Sequence, residues 1–200
     1  MTTVPGPDGK PRCRWCAAAP EFFHYHDSEW GLAQGDDFLL FEKLSLEGFQ
    51  SGLSWRTILA KRPRFREVFH DFDFEKIARF GERDIQRLLK DEGIIRHRGK
   101  IEAVINNARR AKDLVKREGS LASFLWRYAL PAGSPSSTAA TTPESVALSK
   151  ALKKDGWKFV GPTTVYAFMQ AMGLVNDHVE DCVMRAKAEK ARKAFKHLKR

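Results

Sequence analysis

Two pairs of potential metal ligands stand at opposite ends of this 200-residue chain, and any fold must decide whether they meet. Cys13 and His26 lie near the start, and His178 and Cys182, four apart, lie near the end. Two cysteines and two histidines make a complete tetrahedral zinc set, with no open position left for chemistry. Such a site would be structural. A spacing of four puts His178 and Cys182 on one face of a helix, so the zinc would join the N-terminal segment to the last helix of the body. Cys16 offers a rival set, because Cys13-x2-Cys16 is itself a common zinc knuckle and would close a site with His178 and Cys182. Three cysteines and an N-terminus without an apolar h-region argue against a disulfide framework and for a cytosolic protein.

Hydrophobic residues make up 42% of the chain, enough for a sizeable core, and no apolar run approaches the ~20 residues of a membrane span. The length fits one domain. Lys and Arg number 35 against 25 Asp and Glu, a net charge of +10, which points to a polyanionic partner without identifying one. Residues 183–200 hold eight of those cations and one acid, Glu189, so seven of the ten charges sit in a basic C-terminal tail. That tail reads as a solubilising, partly helical extension or as a nucleic-acid-binding one.

Residues 1–11, with three prolines and two glycines, read as a flexible lead. Asp36-Asp37 offers an N-cap to a helix over 38–47, and a second helix runs from Ser54 to near Pro63. Two short helices over 73–80 and 82–92 are parted by Gly81. Residues 100–118 form a long one, with Ile101, Val104, Ile105, Ala108, Ala111 and Val115 on one stripe. A short helix over 120–130 precedes a low-complexity surface loop, 131–142. Thr142 and Pro143 then open a helix to about Lys154, and the last body helix covers 164–172. The pattern is that of an all-α domain.

On the first of these helices Leu40, Leu44 and Glu47 share the apolar stripe, while Glu42 falls off it. A carboxylate turned toward an apolar wall loses hydration. The segment 49–55 follows, a small-residue turn leading to Trp55, and Tyr25 lies upstream. Aromatic faces with one buried carboxylate suit a flat cationic ring. Near the other end, Lys158-Phe159-Val160-Gly161-Pro162-Thr163-Thr164 places a turn before a helix, whose N–H groups are able to hold a phosphate. The turn resembles that of a helix-hairpin-helix element. Residues 93–100 make a second basic, Gly-bounded turn expected to touch a nucleic-acid backbone.

Together these segments resemble one family, the bacterial type I DNA-3-methyladenine glycosylases of the helix-hairpin-helix superfamily. The resemblance runs from about residue 12 to 182, in the family's order and spacing. It implies a zinc-containing glycosylase domain over 12–182, with zinc held by Cys13, His26, His178 and Cys182, favouring His26 over Cys16. It implies a catalytic Glu47 and a base pocket completed by Tyr25 and Trp55. Gly52 and Leu53 match the turn that approaches the gap left by an extruded nucleotide, and Gly161, Thr163 and Thr164 are the expected phosphate contacts. The implied activity is excision of 3-methyladenine from double-stranded alkylated DNA by a cytoplasmic bacterial enzyme, a monomer without membrane contact. Asp177 stays outside the catalytic set, and no lyase activity is expected.

Overall fold

Asp36 starts the helix around which the rest of the protein packs. Its side chain accepts from the backbone N–H groups of Phe38 and Leu39, each at 2.9 Å, and α2 then runs Asp37–Gln50. The computed structural model describes residues 2–137 and 139–195, which are mostly helical. Residues 40–49 are all buried, because α3 (Trp55–Val68), α6 (Arg98–Glu118), α7 (Leu121–Leu125) and α9 (Pro162–Ala171) all pack on α2. Glu42, expected off the buried stripe, is therefore buried too, and Arg66 holds it at 2.9–3.0 Å. A helix covered on all sides keeps no polar face, so a stripe cannot be read from it.

The long helix α6 behaves as its periodicity predicts: Ile101, Val104, Ile105, Ala108 and Ala111 are buried. Helix α3, expected to stop near Pro63, continues to Val68. An internal proline costs about 3 kcal/mol. Beyond it, Phe65 and Val68 are buried, and Phe65 packs on Phe49 with ring centroids 4.6 Å apart. Each such side chain contributes about 1.5–3 kcal/mol, so packing outweighs the breaker.

The lead expected to be flexible is paired. Thr3–Pro5 (β1) and Pro11–Cys13 (β2) form an antiparallel ribbon with Val4 opposite Arg12, the strand element that the all-α reading lacked. Helix α1 (Pro20–Ser28) follows, also unpredicted, with proline in its first turn. The short helices α4 (Phe74–Ile77) and α5 (Glu82–Leu89) pack on α6. Thr142 and Ser145 form a capping box that opens α8 (Pro143–Lys154), which packs against α9 across the turn 155–161.

The start of the basic tail is a helix docked on the body, α10 (Arg185–Ala194). Arg192 is buried and donates to the carbonyls of Leu130 and Leu174, and Glu189 accepts from Asn176 Nδ2 at 3.1 Å and Gly133 N–H at 2.7 Å. Residues 196–200 of the predicted tail lie outside the described residues. No described helix is long and apolar enough to cross a membrane.

Candidate active site and metal centre

Strand β2 ends at Cys13, α1 carries His26, and the segment between α9 and α10 carries His178 and Cys182. Among the described residues these four buried side chains form a metal-capable cluster, their ligand atoms all within 4.8 Å of one another. Cys182 Sγ lies 3.5 Å from His26 Nε2 and 3.6 Å from His178 Nδ1, and the two nitrogens are 3.1 Å apart. A tetrahedral ion bonded at about 2.0 Å to nitrogen and 2.3 Å to sulfur requires ligand separations of roughly 3.3–3.8 Å. The two separations from Cys182 Sγ fall in that range, and the two nitrogens stand slightly closer than it. Cys16 is buried nearby but outside the cluster, and burial pushes its thiol up to about 12.

The outer hydrogen bonds fix which nitrogens point inward. His26 Nδ1 lies 2.7 Å from Asp27 Oδ1, and His178 Nε2 lies 3.2 Å from the Trp30 carbonyl. An ionised carboxylate and a carbonyl can only accept, so both outer nitrogens carry the proton. The inner lone pairs, His26 Nε2 and His178 Nδ1, face the cluster. Arg12 in turn holds Asp27 through Nη2 at 3.0 Å. Gly31 has φ +79°, and a Cβ there would sit 2.7 Å from His178 Nε2, so only glycine allows the ring this close.

His178 and Cys182 are not on a helix, contrary to the reading of their spacing. Helix α9 ends at Ala171, Gly173 takes φ +75°, and the chain to Met184 is irregular. Arg185 of α10 donates to the carbonyls of Asn176 and His178, groups that a continuing helix would have paired internally. Cys182 N–H closes a turn on Val179 O at 2.9 Å.

Beside the cluster opens a cavity of about 550 Å³, with Tyr25, Trp30, Glu47, Gln50 and Trp55 in its walls. Tyr25, Glu47 and Trp55 come together in its walls from α1, α2 and the start of α3. The Tyr25 and Trp55 rings are 5.4 Å apart and tilted by 42°. Burial pushes the Glu47 carboxyl up to about 7, with Lys43 opposing. Trp55 Nε1 is buried with no protein partner. The low-complexity loop, expected at the surface, also lends Ser137 to the cavity wall. Asp177 accepts from Ser137 N–H at 3.0 Å and from Gln170 Nε2 at 2.8 Å, and also from the Tyr166 hydroxyl. With its acceptor sites so engaged, Asp177 acts as a loop anchor.

Sequence reasoning missed Lys43. Its Nζ donates to Tyr25 Oη at 2.8 Å and lies 4.3 Å from the Trp55 ring centre. Lys43 and Glu47 are one helical turn apart, but that spacing alone does not mark the lysine as buried.

Two exposed turns flank this region. Gly52 adopts φ +79°, which lets α2 end in a tight turn with Leu53 43% exposed at its tip. Gly161 is the N-cap of α9, Pro162 takes the first turn, no side chain caps it, and Thr163 is exposed with Thr164 half-buried behind it. Phe159, two residues before Gly161, meets Gly48 of α2 on one side and the His97 ring on the other. The basic turn at 93–100 is otherwise engaged than expected. Lys100 is buried and donates to the carbonyls of Phe49 and Ser51, His97 Nδ1 caps α6, and Arg98 pairs with Glu82 at 2.9 Å. Lys100 therefore clamps the C-terminus of α2, where a cation meets the helix dipole favourably.

The model of the methyladenine glycosylase family matches residues 15–186. DNA-3-methyladenine glycosylase 1 of Escherichia coli is 48% identical over 177 residues, covering 86% of this chain and 95% of that protein. The DNA-3-methyladenine glycosylase of Haemophilus influenzae is 45% identical, covering 86% and 96%. A crystal structure of a 3-methyladenine DNA glycosylase I superposes with a TM-score of 0.82 over 86% of this chain and 98% of that one, at 48% identity. A variant of such an enzyme in complex with 3-methyladenine gives 0.81 at 36% identity, covering 87% and 97%.

Proposed function

The chain belongs to the methyladenine glycosylase family, and on that premise we propose that it excises 3-methyladenine from alkylated double-stranded DNA. The observation that carries the reading is the cavity in which a buried carboxylate, Glu47, faces the rings of Tyr25 and Trp55. Methylation at N3 leaves the base cationic, so its glycosidic bond is already weakened and the protein has to supply only a few kcal/mol of positioning and electrostatics. The nucleotide is flipped out of the duplex, its base stacks against Trp55, and Glu47 and Tyr25 meet its edge. Water adds to C1′ as the C1′–N bond breaks. The base takes the bonding electrons and leaves neutral, the water loses a proton to solvent, and an abasic site remains. No amine nucleophile takes part, so the enzyme is monofunctional.

Leu53, on the exposed turn with Gly52, approaches the vacated gap in the stack. The N–H groups of Thr163 and Thr164 behind Gly161, in a helix-hairpin-helix element made by α8 and α9, hold a phosphate. These contacts position the duplex, while the cavity selects the lesion.

Zinc suits the donor set of two thiolates and two imidazoles. Cys13, His26, His178 and Cys182 would hold it, and with four protein ligands its contribution is structural. It ties the ribbon and α1 to the segment before α10, and so holds Tyr25 against α2. The enzyme acts as a monomer in the cytoplasm.

The deciding experiment is release of free base from methylated DNA by Glu47→Gln. A fall in kcat/KM of about 10- to 100-fold is expected, the worth of one hydrogen bond to a charged group. Release at the wild-type rate would remove Glu47 from the site.

A further inference from the structure

The charged side chains around the cavity pair off by direct contact, except for two. Six crowd the side of α2 that faces α1 and α3, Lys43, Arg62 and Arg66 against Glu29, Glu42 and Glu47, and of these Lys43, Glu42 and Glu47 are buried. Arg62 grips Glu29 with both nitrogens, at 2.6 and 2.7 Å. Arg66 holds Glu42 at 2.9 Å, and Arg62 Nε stands 4.0 Å from the same carboxylate. Lys43 and Glu47 remain, both buried, four residues apart on one face of α2.

We propose that Lys43 is a positioning residue of the base site, the internal counter-charge that favours the ionised form of Glu47 and turns the Tyr25 hydroxyl proton toward the cavity. This rests on the proposed glycosylase reading. Valence orients the hydroxyl. An ammonium has only donors to offer, so at 2.8 Å the Tyr25 oxygen accepts and its own proton points away from Lys43. The ammonium lies against both rings, 4.6 Å from the Tyr25 ring centre and 4.3 Å from that of Trp55.

Desolvation sets the balance at Glu47. Burial raises its carboxyl and the Lys43 charge lowers it, while burial lowers Lys43 and Glu47 raises it. The other charged groups facing Lys43 are Arg62 from α3, Glu29 at the end of α1, and Glu42 on α2 itself. Tyr25 faces Glu47 as a neutral phenol, its hydroxyl pushed well up by burial. Without Lys43, desolvation acts on Glu47 unopposed and the carboxyl takes up a proton. A neutral acid no longer attracts a cationic base.

Lys43→Met keeps the length and the buried packing while removing the charge. Removing half of a buried pair destabilises by leaving an uncompensated charge, and Glu47 escapes that state by taking up a proton. Glu47 should then titrate, by carboxyl carbon NMR, about one pH unit higher than in the wild type. The acid limb of kcat/KM for 3-methyladenine release should move up with it, and most of the loss at pH 7 should fall in KM. Equal titration midpoints, or a uniform loss of rate at all pH values, would overturn the proposal. A reading independent of the variant is the wild-type Lys43 ε-methylene resonance. Ring currents from Tyr25 and Trp55 should displace it upfield, and an ordinary lysine shift would also overturn the proposal. Base release by the wild type tests the glycosylase reading separately: its absence defeats that reading, whereas release with unaltered Glu47 titration defeats only the role of Lys43.

Discussion

At His26 the ring has two nitrogens, and the residue next in sequence determines which of them faces the ligand cluster. Asp27 accepts a hydrogen bond from Nδ1–H, and Arg12 holds Asp27. Outer partners of this kind raise ligand basicity and fix ring orientation. Asp27→Asn is therefore expected to weaken zinc binding about 10- to 100-fold, read by competition with a chromogenic chelator. In the same assay Cys16→Ser should retain about one zinc per chain and His26→Ala should lose it. The reverse outcome would restore the Cys13-x2-Cys16 knuckle. The residue-level legibility was uneven. Glu47, Tyr25 and Trp55 could be picked out because a carboxylate on an apolar stripe and large aromatics are conspicuous types. Lys43 could not, because lysines are ordinarily surface residues, and only packing on every side of α2 buries this one.

Among the elements, α10 carries the clearest departure from the sequence reading. A run of lysines and arginines reads as a solvated tail. Yet Arg185 and Arg192 turn inward to the carbonyls of Asn176, His178, Leu130 and Leu174. The basic helix thus supplies the hydrogen bonds that the irregular ligand segment lacks. Truncation after Met184 is expected to lower Tm by roughly 5–10 °C and to weaken zinc retention. Unchanged values for both would make α10 an accessory. Helices α2, α6 and α8 were legible because caps and apolar periodicity are local. The extension of α3 past Pro63 was not, because it depends on Phe49 from another helix receiving Phe65.

For the molecule as a whole, the net charge divides differently from the simple body and tail of the sequence reading. Two of the tail's cations are spent inside the fold, and Lys187, Lys190 and Lys193 remain exposed on α10. Replacing those three by Gln tests whether α10 meets DNA. The slope of log affinity against log salt should shrink by roughly 0.9 for each lysine that meets a phosphate, with zinc content unchanged. An unchanged slope assigns the lysines to solubility. The sequence by itself determined the helical class, the main caps, the four-residue donor set as one of two candidates, and the aromatic and acidic residues of the cavity. Each of these follows from residue type or from spacing along one element. Residue spacing left His26 and Cys16 as rivals, the family resemblance favoured His26, and the tertiary structure brings His26 into the cluster and sets its last two donors on a loop. It also decided that Lys100 grips α2 instead of facing outward, and that Lys43 and Glu47 share one buried site. Those outcomes turn on which surfaces meet across long sequence separations, where desolvation and hydrogen-bond satisfaction are set by neighbours that no local pattern encodes.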